Sequence, residues 1–290
     1  MFILENENIR VSVSAKGAEL QSMVYKKTGQ EFMWDGNPSV WAKHSPVLFP
    51  VVGTLKNNTY YFNDKEYQLP RHGFARDRQF ELCHQSNDTL SLVLKSDQET
   101  LKVFPFTFEF FIDYTIIDCT LSVSYRIINK GSSTMYFSVG GHPAFRVPIL
   151  EGEVYEDYVL EFNRNEQAGR WPISPDGLIE LKVDNFLEEA NRINLNKSLF
   201  NKDAIVLKNL KSNKVKLISK KNNLGFEFDF TGFPFLGIWA AKDADFVCIE
   251  PWCGIADSVN TTQQLTEKEG INTLESGGEF LRTWKVLVHK

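Results

Sequence analysis

The chain has 290 residues and a formal charge of −5, with acidic and basic side chains interspersed and no basic block, so neither nucleic acid nor an anionic membrane is expected as a partner. A chain this long buries a sizeable core without a disulfide or metal staple; we expect one domain over residues 1–290, and the 23 phenylalanines, nine tyrosines and six tryptophans favour strands. Four scattered cysteines with no C-x-x-C pair, a start lacking a basic region before an apolar run, and apolar runs (46–52, 233–241) well short of the roughly 18 residues of a membrane helix point to a reduced, cytoplasmic protein.

In chain order, alternation and turn residues predict a strand meander over 9–13, 19–25 and 31–34, then a helical turn over 38–41. The apolar run 45–52 is bracketed by Pro46, Pro50 and Gly53, and its prolines keep it out of a sheet interior. Residues 60–69 read as a hairpin closing on Asn63 and Asp64. From 81 onward a period of two persists, with Leu90, Leu92 and Leu94, then Phe106, Phe108, Phe110 and Ile112, then Leu121, Val123, Tyr125 and Ile127 each sharing a face. A short helix over 97–103, capped by Asp97 and stopped by Pro105, interrupts them. Residues 151–192 read as long connections with isolated strands, of the kind that frame sites. Alternation returns over 203–207, 215–219, 224–230, 236–240, 246–250 and 280–288. No repeat or long helical period is present, so the fold class is all-β, a large antiparallel β-sandwich with a few short helices and a site on one concave face.

Three stretches carry chemistry. Residues 138–145 end an alternating segment on Gly140 and Gly141 and then present His142 before Pro143. The glycines allow close backbone approach or positive φ, and the proline pushes His142 toward extended geometry. His142 is either aimed at a ligand or simply hydrogen-bonded in a tight turn. Residues 71–76 place His72 between Arg71 and Gly73 and end on Arg76. In 246–254 an apolar strand leads straight into Glu250 before Pro251 and Trp252: either a strand-end glutamate in solvent, or a buried one whose desolvation makes it a better proton acceptor near neutral pH.

Taken together, Gly141-His142-Pro143-Ala144-Phe145, Arg71-His72-Gly73-Phe74-Ala75-Arg76 and Glu250-Pro251-Trp252 resemble the aldose 1-epimerase (galactose mutarotase-like) superfamily, in particular its bacterial mutarotase-related proteins. The resemblance covers nearly the whole chain, including 48–53, 200–207 and 233–239. It implies a galactose mutarotase-like supersandwich that acts on a small-molecule sugar without cofactor or metal. Glu250 would take the proton of the C1 hydroxyl while His142 protonates the ring oxygen, C1–C2 would rotate in the open chain, and reversal of both transfers would give the other anomer. The two groups are expected to face each other across a gap the width of a pyranose.

The same resemblance gives His72 a hydrogen bond near the ring oxygen and makes Asp203 an acceptor from sugar hydroxyls; otherwise His72 pins its loop and Asp203 caps a strand. The family's arginine near the start of the site is replaced by Lys56, a point charge without the bidentate fork, or else a solvated loop lysine. Arg76 either reaches the ligand or braces its loop through Asp77. Trp252 and Trp239 are candidate stacking faces for the sugar, or core packing. His44, His84 and His289 receive no role, and the cysteines read as small buried hydrophobes. Three functions stand at this point: a mutarotase of free aldoses, a mutarotase of hexose 6-phosphates using Arg71, Arg76 and Lys56, and a non-catalytic sugar-binding protein. A glycosidase would require two opposed carboxylates, a pair that Asp203 and Glu250 could imitate. The sequence assigns no oligomeric state.

Overall fold

The computed structural model describes residues 1–289; Lys290, the last residue of the expected domain span, lies outside the described residues. Two antiparallel sheets dominate. In the larger, nine strands run in the order Asp184–Asn194, Tyr158–Arg170, Lys214–Ser219, Gly225–Asp229, Glu279–Val288, Thr120–Asn129, Phe108–Ile117, Thr89–Lys95 and Glu81–Gln85. In the smaller, the order is Ile205–Lys208, Phe235–Trp239, Phe246–Cys253, Val139–Gly141 and Val47–Leu48, with Ala144–Arg146 also paired to Phe246–Cys253. A four-stranded meander, Phe2–Glu5 to Gln30–Glu31, packs into the same core. Among the described residues no helix is long and apolar enough to cross a membrane.

The alternation seen in the sequence is what brings the sheets together. Along Phe108–Ile117 every second residue, from Phe108 to Ile116, is buried, and the intervening ones face out. The buried face meets the smaller sheet through aromatic contacts: Phe49 lies 5.0 Å from Phe108 and 4.6 Å from Phe110, and Phe145 lies 4.4 Å from Phe226, centroid to centroid. Phe246–Cys253 is buried along its whole length. One of its faces joins this core, and the other faces a second, smaller apolar cluster containing Leu48, Ile179, Val206 and Trp252.

Most expected elements form. The Asp97-capped helix spans Gln98–Val103, with Asp97 accepting from the Thr100 amide. The hairpin Thr59–Phe62/Lys65–Gln68 closes on Asn63 and Asp64, both with positive φ as a two-residue hairpin turn requires. Residues 38–41 form a turn closed by Val40 and Trp41 amides on the Asn37 carbonyl. The 45–52 run contributes only a two-residue edge strand, Val47–Leu48, as its flanking prolines dictate. Two expectations are corrected. The strand expected over 31–34 shrinks to Gln30–Glu31, because the chain then leaves the meander to bridge Phe145 through Met33. The region 151–192, read as long connections with isolated strands, contains instead the long paired strands Tyr158–Arg170 and Asp184–Asn194. Register shifts between residues 161 and 170 break the period of two that would have revealed them. Residues 171–183 remain a loop, and it does frame the cavity described next.

Candidate active site

A cavity of about 490 Å³ opens on the outward face of the smaller sheet, within the range usual for small-molecule sites. Its floor is the face of Phe246–Cys253 that carries Cys248, Glu250 and Trp252, since alternate residues of a strand share a side. Glycines stand opposite the two larger side chains: Gly237 pairs with Glu250 and Gly140 with Trp252. A Cβ at Gly237 would come within 2.4 Å of Trp252 Cζ2, and one at Gly140 within 2.7 Å of Trp252 Cδ1, so only glycine leaves the trough in which the indole lies. The glycine pair before His142 thus serves close approach; neither residue takes a positive φ.

His142 follows the strand Val139–Gly141 and is anchored by its neighbours: the Ile249 amide donates to the Pro143 carbonyl and the Ala144 amide to the His44 carbonyl. This brings His142 Nε2 to 3.3 Å from Glu250 Oε2, with His142 8% exposed and Glu250 1%. The imidazole stacks on Trp41 at 5.1 Å and meets the edges of Trp239 at 5.6 Å and His72 at 5.8 Å. The expectation of two groups facing each other across a pyranose is therefore corrected: His142 and Glu250 are in contact on one wall. The chemistry explains it, because the hydroxyl and the ring oxygen they would serve are bonded to the same carbon.

His72 comes from a segment interlocked with residues 49–53. Its amide donates to the Gly53 carbonyl, and Gly73, at positive φ, passes so close to Phe49 that a Cβ would lie 2.3 Å from the Phe49 oxygen. His72 itself holds φ at 69°, an uncommon conformation for a non-glycine residue that this interlock maintains. Its Nδ1 accepts from the Gly53 amide at 3.1 Å, while Arg71 Nε stands 3.3 Å from its Nε2. A neutral imidazole accepts at one nitrogen only. We assign Nδ1 as that acceptor because its donor is a buried backbone amide; Nε2 then carries the proton and, with the Arg71 N–H beside it, is a donor for a shared acceptor.

Asp203 lines the cavity at positive φ, 65°, its Oδ1 accepting from the Ala204 amide. The strand it was expected to open begins at Ile205. The turn is gripped by Arg170, whose guanidinium donates to the carbonyls of Leu199, Lys202, Asp203 and Ala204. Arg76 lines the cavity and also braces its loop, donating to the Arg71 carbonyl at 2.8 Å and standing 3.7 Å from Asp77. Trp239 and Trp252 both line it. Lys56 does not: its ammonium donates to the Val259 carbonyl at 2.8 Å and its amide to Asp257, so it ties two loops together outside the cavity wall. The sequence reading passed over Trp41 and Lys43, which lie on a loop with no pattern of its own, and Arg170, which acts through a turn more than thirty residues away. Cys119, Cys248 and Cys253 are buried as expected; Cys83 is exposed.

Burial sets the protonation of this group. It pushes Glu250 well above the ordinary carboxyl range, with Arg71 and the Trp252 N–H countering part of the effect and Asp203 adding to it. It pushes His142 down to about 3 and His72 well below its ordinary value, with Arg71 and Arg76 acting in the same direction on both. A carboxyl reluctant to ionise beside an imidazole reluctant to charge is a pair that holds one proton between two neutral groups, and can pass it across 3.3 Å. Cys248 Sγ also lies here: His142, Cys248 and Glu250 offer ligand-type atoms within 4.8 Å of one another. Burial holds the thiol well above its usual range, with the neighbouring Glu250 acting in the same direction.

Comparison with known proteins bears on what such a pair does. A family model described as Aldose 1-epimerase matches residues 1–277. The chain is 34% identical to Protein LacX, plasmid, of Lactococcus lactis subsp. lactis over 274 residues, 91% of either chain. Its structure is similar to that of a galactose mutarotase related enzyme from Lactobacillus acidophilus, at 37% identity and a TM-score of 0.94 over 100% of this chain and 97% of the other. A galactose mutarotase-like protein from Lactobacillus casei superposes with a TM-score of 0.93 at 32% identity over the full length of both.

Proposed function

The chain belongs to the aldose 1-epimerase family, and from that premise we propose that it interconverts the α and β anomers of an aldose by acid–base opening and closing of the ring. The observation that carries this reading is the 3.3 Å contact of His142 Nε2 with Glu250 Oε2 on the floor of the cavity. On binding, the proton of the pair passes from Glu250 to His142. Glu250 then removes the proton from the C1 hydroxyl as His142 gives its proton to the ring oxygen, and the C1–O5 bond breaks to leave an aldehyde. Rotation about C1–C2 presents the other carbonyl face. Protonated Glu250 returns a proton to the carbonyl oxygen as O5 loses its own to His142 and closes the ring. Protons and electrons balance over the cycle, so the steps draw on no cofactor.

His72 and Asp203 have the donor and acceptor character to hold the sugar hydroxyls, and Trp41 and Trp239 present aromatic faces to its apolar side. General acid–base help of this kind is worth about 10²- to 10⁴-fold. Glu250→Gln is therefore expected to slow α/β exchange of its aldose by about that factor while sugar still binds, as read by saturation-transfer NMR. Unchanged exchange would remove Glu250 from the mechanism, and release of alcohol from an alkyl glycoside would replace the reading with glycoside hydrolysis.

One observation favours a second substrate class, hexose 6-phosphates. Lys43, Arg71 and Arg76 all line the cavity, and Arg71 has no carboxylate in salt-bridge range among the described residues. C6 is attached to the ring carbon next to O5, so its substituent would project from the His142 side toward His72 and Arg71. Guanidinium groups there would suit a phosphate. A panel of aldoses and their 6-phosphates scored by exchange rate decides between the two: a higher kcat/KM for the phosphates selects the second, equal or lower values the first.

A further inference from the structure

Trp252 carries a polar atom that makes no hydrogen bond of ordinary geometry. Its Nε1 is buried and without a hydrogen-bond partner, although the ring lines the cavity and is only 6% exposed. Orphaned donors at such depth are uncommon and call for an explanation. The position of the ring supplies one. Cδ1 abuts Gly140, and Cζ2 and Cη2 abut Gly237, on the strands to either side. The edge between those atoms is the one that bears Nε1, so the N–H lies over its own strand, where Glu250 is the preceding residue on the same face. A ring wedged in this way is fixed in place. It cannot turn to follow a sugar, but it can hold a donor at a set point.

We propose that the Trp252 indole N–H is the donor reserved for the Glu250 carboxylate in its ionised form, which makes Trp252 a positioning residue for the base and not the sugar platform expected from the sequence. This rests on the reading of Glu250 as the proton acceptor. While Glu250 keeps its proton, the carboxyl needs no further donor and the N–H stays unused. Once the proton has moved to His142, the carboxylate requires donors on both oxygens; His142 meets one and the indole the other. The bond then holds the carboxylate turned toward the C1 hydroxyl. Glu250 and Trp252 are alternate residues of one strand and both line the cavity, which places the two groups near one another. The other titratable and charged groups around Glu250 are Cys248 on its own strand, His142, His72 and Arg71 from the neighbouring loops, Asp203 from its turn, and Arg76 and Lys43 at the cavity wall.

Trp252→Phe keeps the ring and removes the donor. Its alkaline limb of kcat/KM for anomer exchange, where Glu250 gives up the one proton of the pair, is expected to move up by about one pH unit, a tenfold loss below the limb that closes as the pH is raised. A packing role alone would lower the rate equally at every pH. A second measurement needs neither turnover nor a stable variant: the indole 15N–1H resonance of Trp252 in the wild-type protein should shift downfield as Glu250 ionises, and stay fixed in Glu250→Gln. If that resonance is flat with pH while the alkaline limb is present, or the variant's limb does not move, the proposal is overturned. If no aldose shows accelerated exchange, the proposed reaction fails while the NMR titration still reports on the pair.

Discussion

Burial drives Glu250 and His142 in opposite directions, and the two leave opposite marks on stability. His142 is pushed from 6.5 down to about 3, so between those values the unfolded chain binds a proton there that the native protein refuses. Stability held at neutral pH is lost as the pH falls through that window. Glu250 is pushed above 4.5, so above that value the native protein keeps a proton the unfolded chain has released, and stability falls as the pH rises toward the native pKa. Urea denaturation across the pH range should therefore show Glu250→Gln gaining on the wild type as the pH rises above 4.5, and His142→Asn losing less than the wild type between 6.5 and 3. Identical pH profiles for all three proteins would show that neither group is desolvated. His142 and Glu250 stand out in the sequence because each interrupts a glycine-rich or apolar pattern that local rules leave unexplained, whereas His72 is singled out by its place in the Arg71–Arg76 motif of the resemblance. Lys56 stays open in the sequence for a physical reason: a lysine three residues after a glycine turn looks the same whether its ammonium faces a cavity or, as here, a carbonyl.

Among the elements, the turn that carries Asp203 depends on one side chain from a distant strand. Arg170, half-buried at the end of Tyr158–Arg170, donates to four carbonyls of residues 199–204, and those bonds hold Asp203 at a positive φ that its own side chain does little to enforce. Arg170→Ala frees the turn. It is expected to cost about 1–3 kcal/mol of stability and to raise KM for the sugar about tenfold with kcat changed by less than about threefold, because the acid–base pair lies on other elements. A fall confined to kcat would show that the turn supports the reacting atoms and not binding. The strand that presents Arg170 is also where sequence reading fell short. The alternation of Phe108–Ile117 and Thr120–Asn129 is uninterrupted because both strands lie inside the sheet with one face on the core. Tyr158–Arg170 and Asp184–Asn194 form the outermost pair of the sheet, and repeated register shifts between them put their buried residues out of phase, so the segment reads as long connections with isolated strands.

At the scale of the whole molecule, the smaller sheet separates two environments: an apolar core shared with the nine-stranded sheet on one side and the cavity on the other. The contact directly beneath the site is polar. Trp284 Nε1 donates to the Tyr125 hydroxyl at 2.9 Å, and that hydroxyl would lie 2.6 Å from a Cβ on Gly141, the residue before His142. Both rings are almost completely buried, so Tyr125→Phe leaves the Trp284 N–H with no acceptor, at a cost of about 1–3 kcal/mol. The urea midpoint should fall with its slope unchanged, since the surface exposed on unfolding is the same. Anomer exchange per folded molecule should stay within about twofold of the wild type, because the sheet's own ladder, with Val139 and Gly140 paired to Cys253 and Trp252 and the Ile249 amide bound to Pro143, fixes His142 against Glu250 without help from below. Loss of exchange in a fully folded Tyr125→Phe protein would mean instead that the core hydroxyl sets the height of Gly141, and that the 3.3 Å contact of the pair is maintained by packing between sheets and not by the strands that carry it.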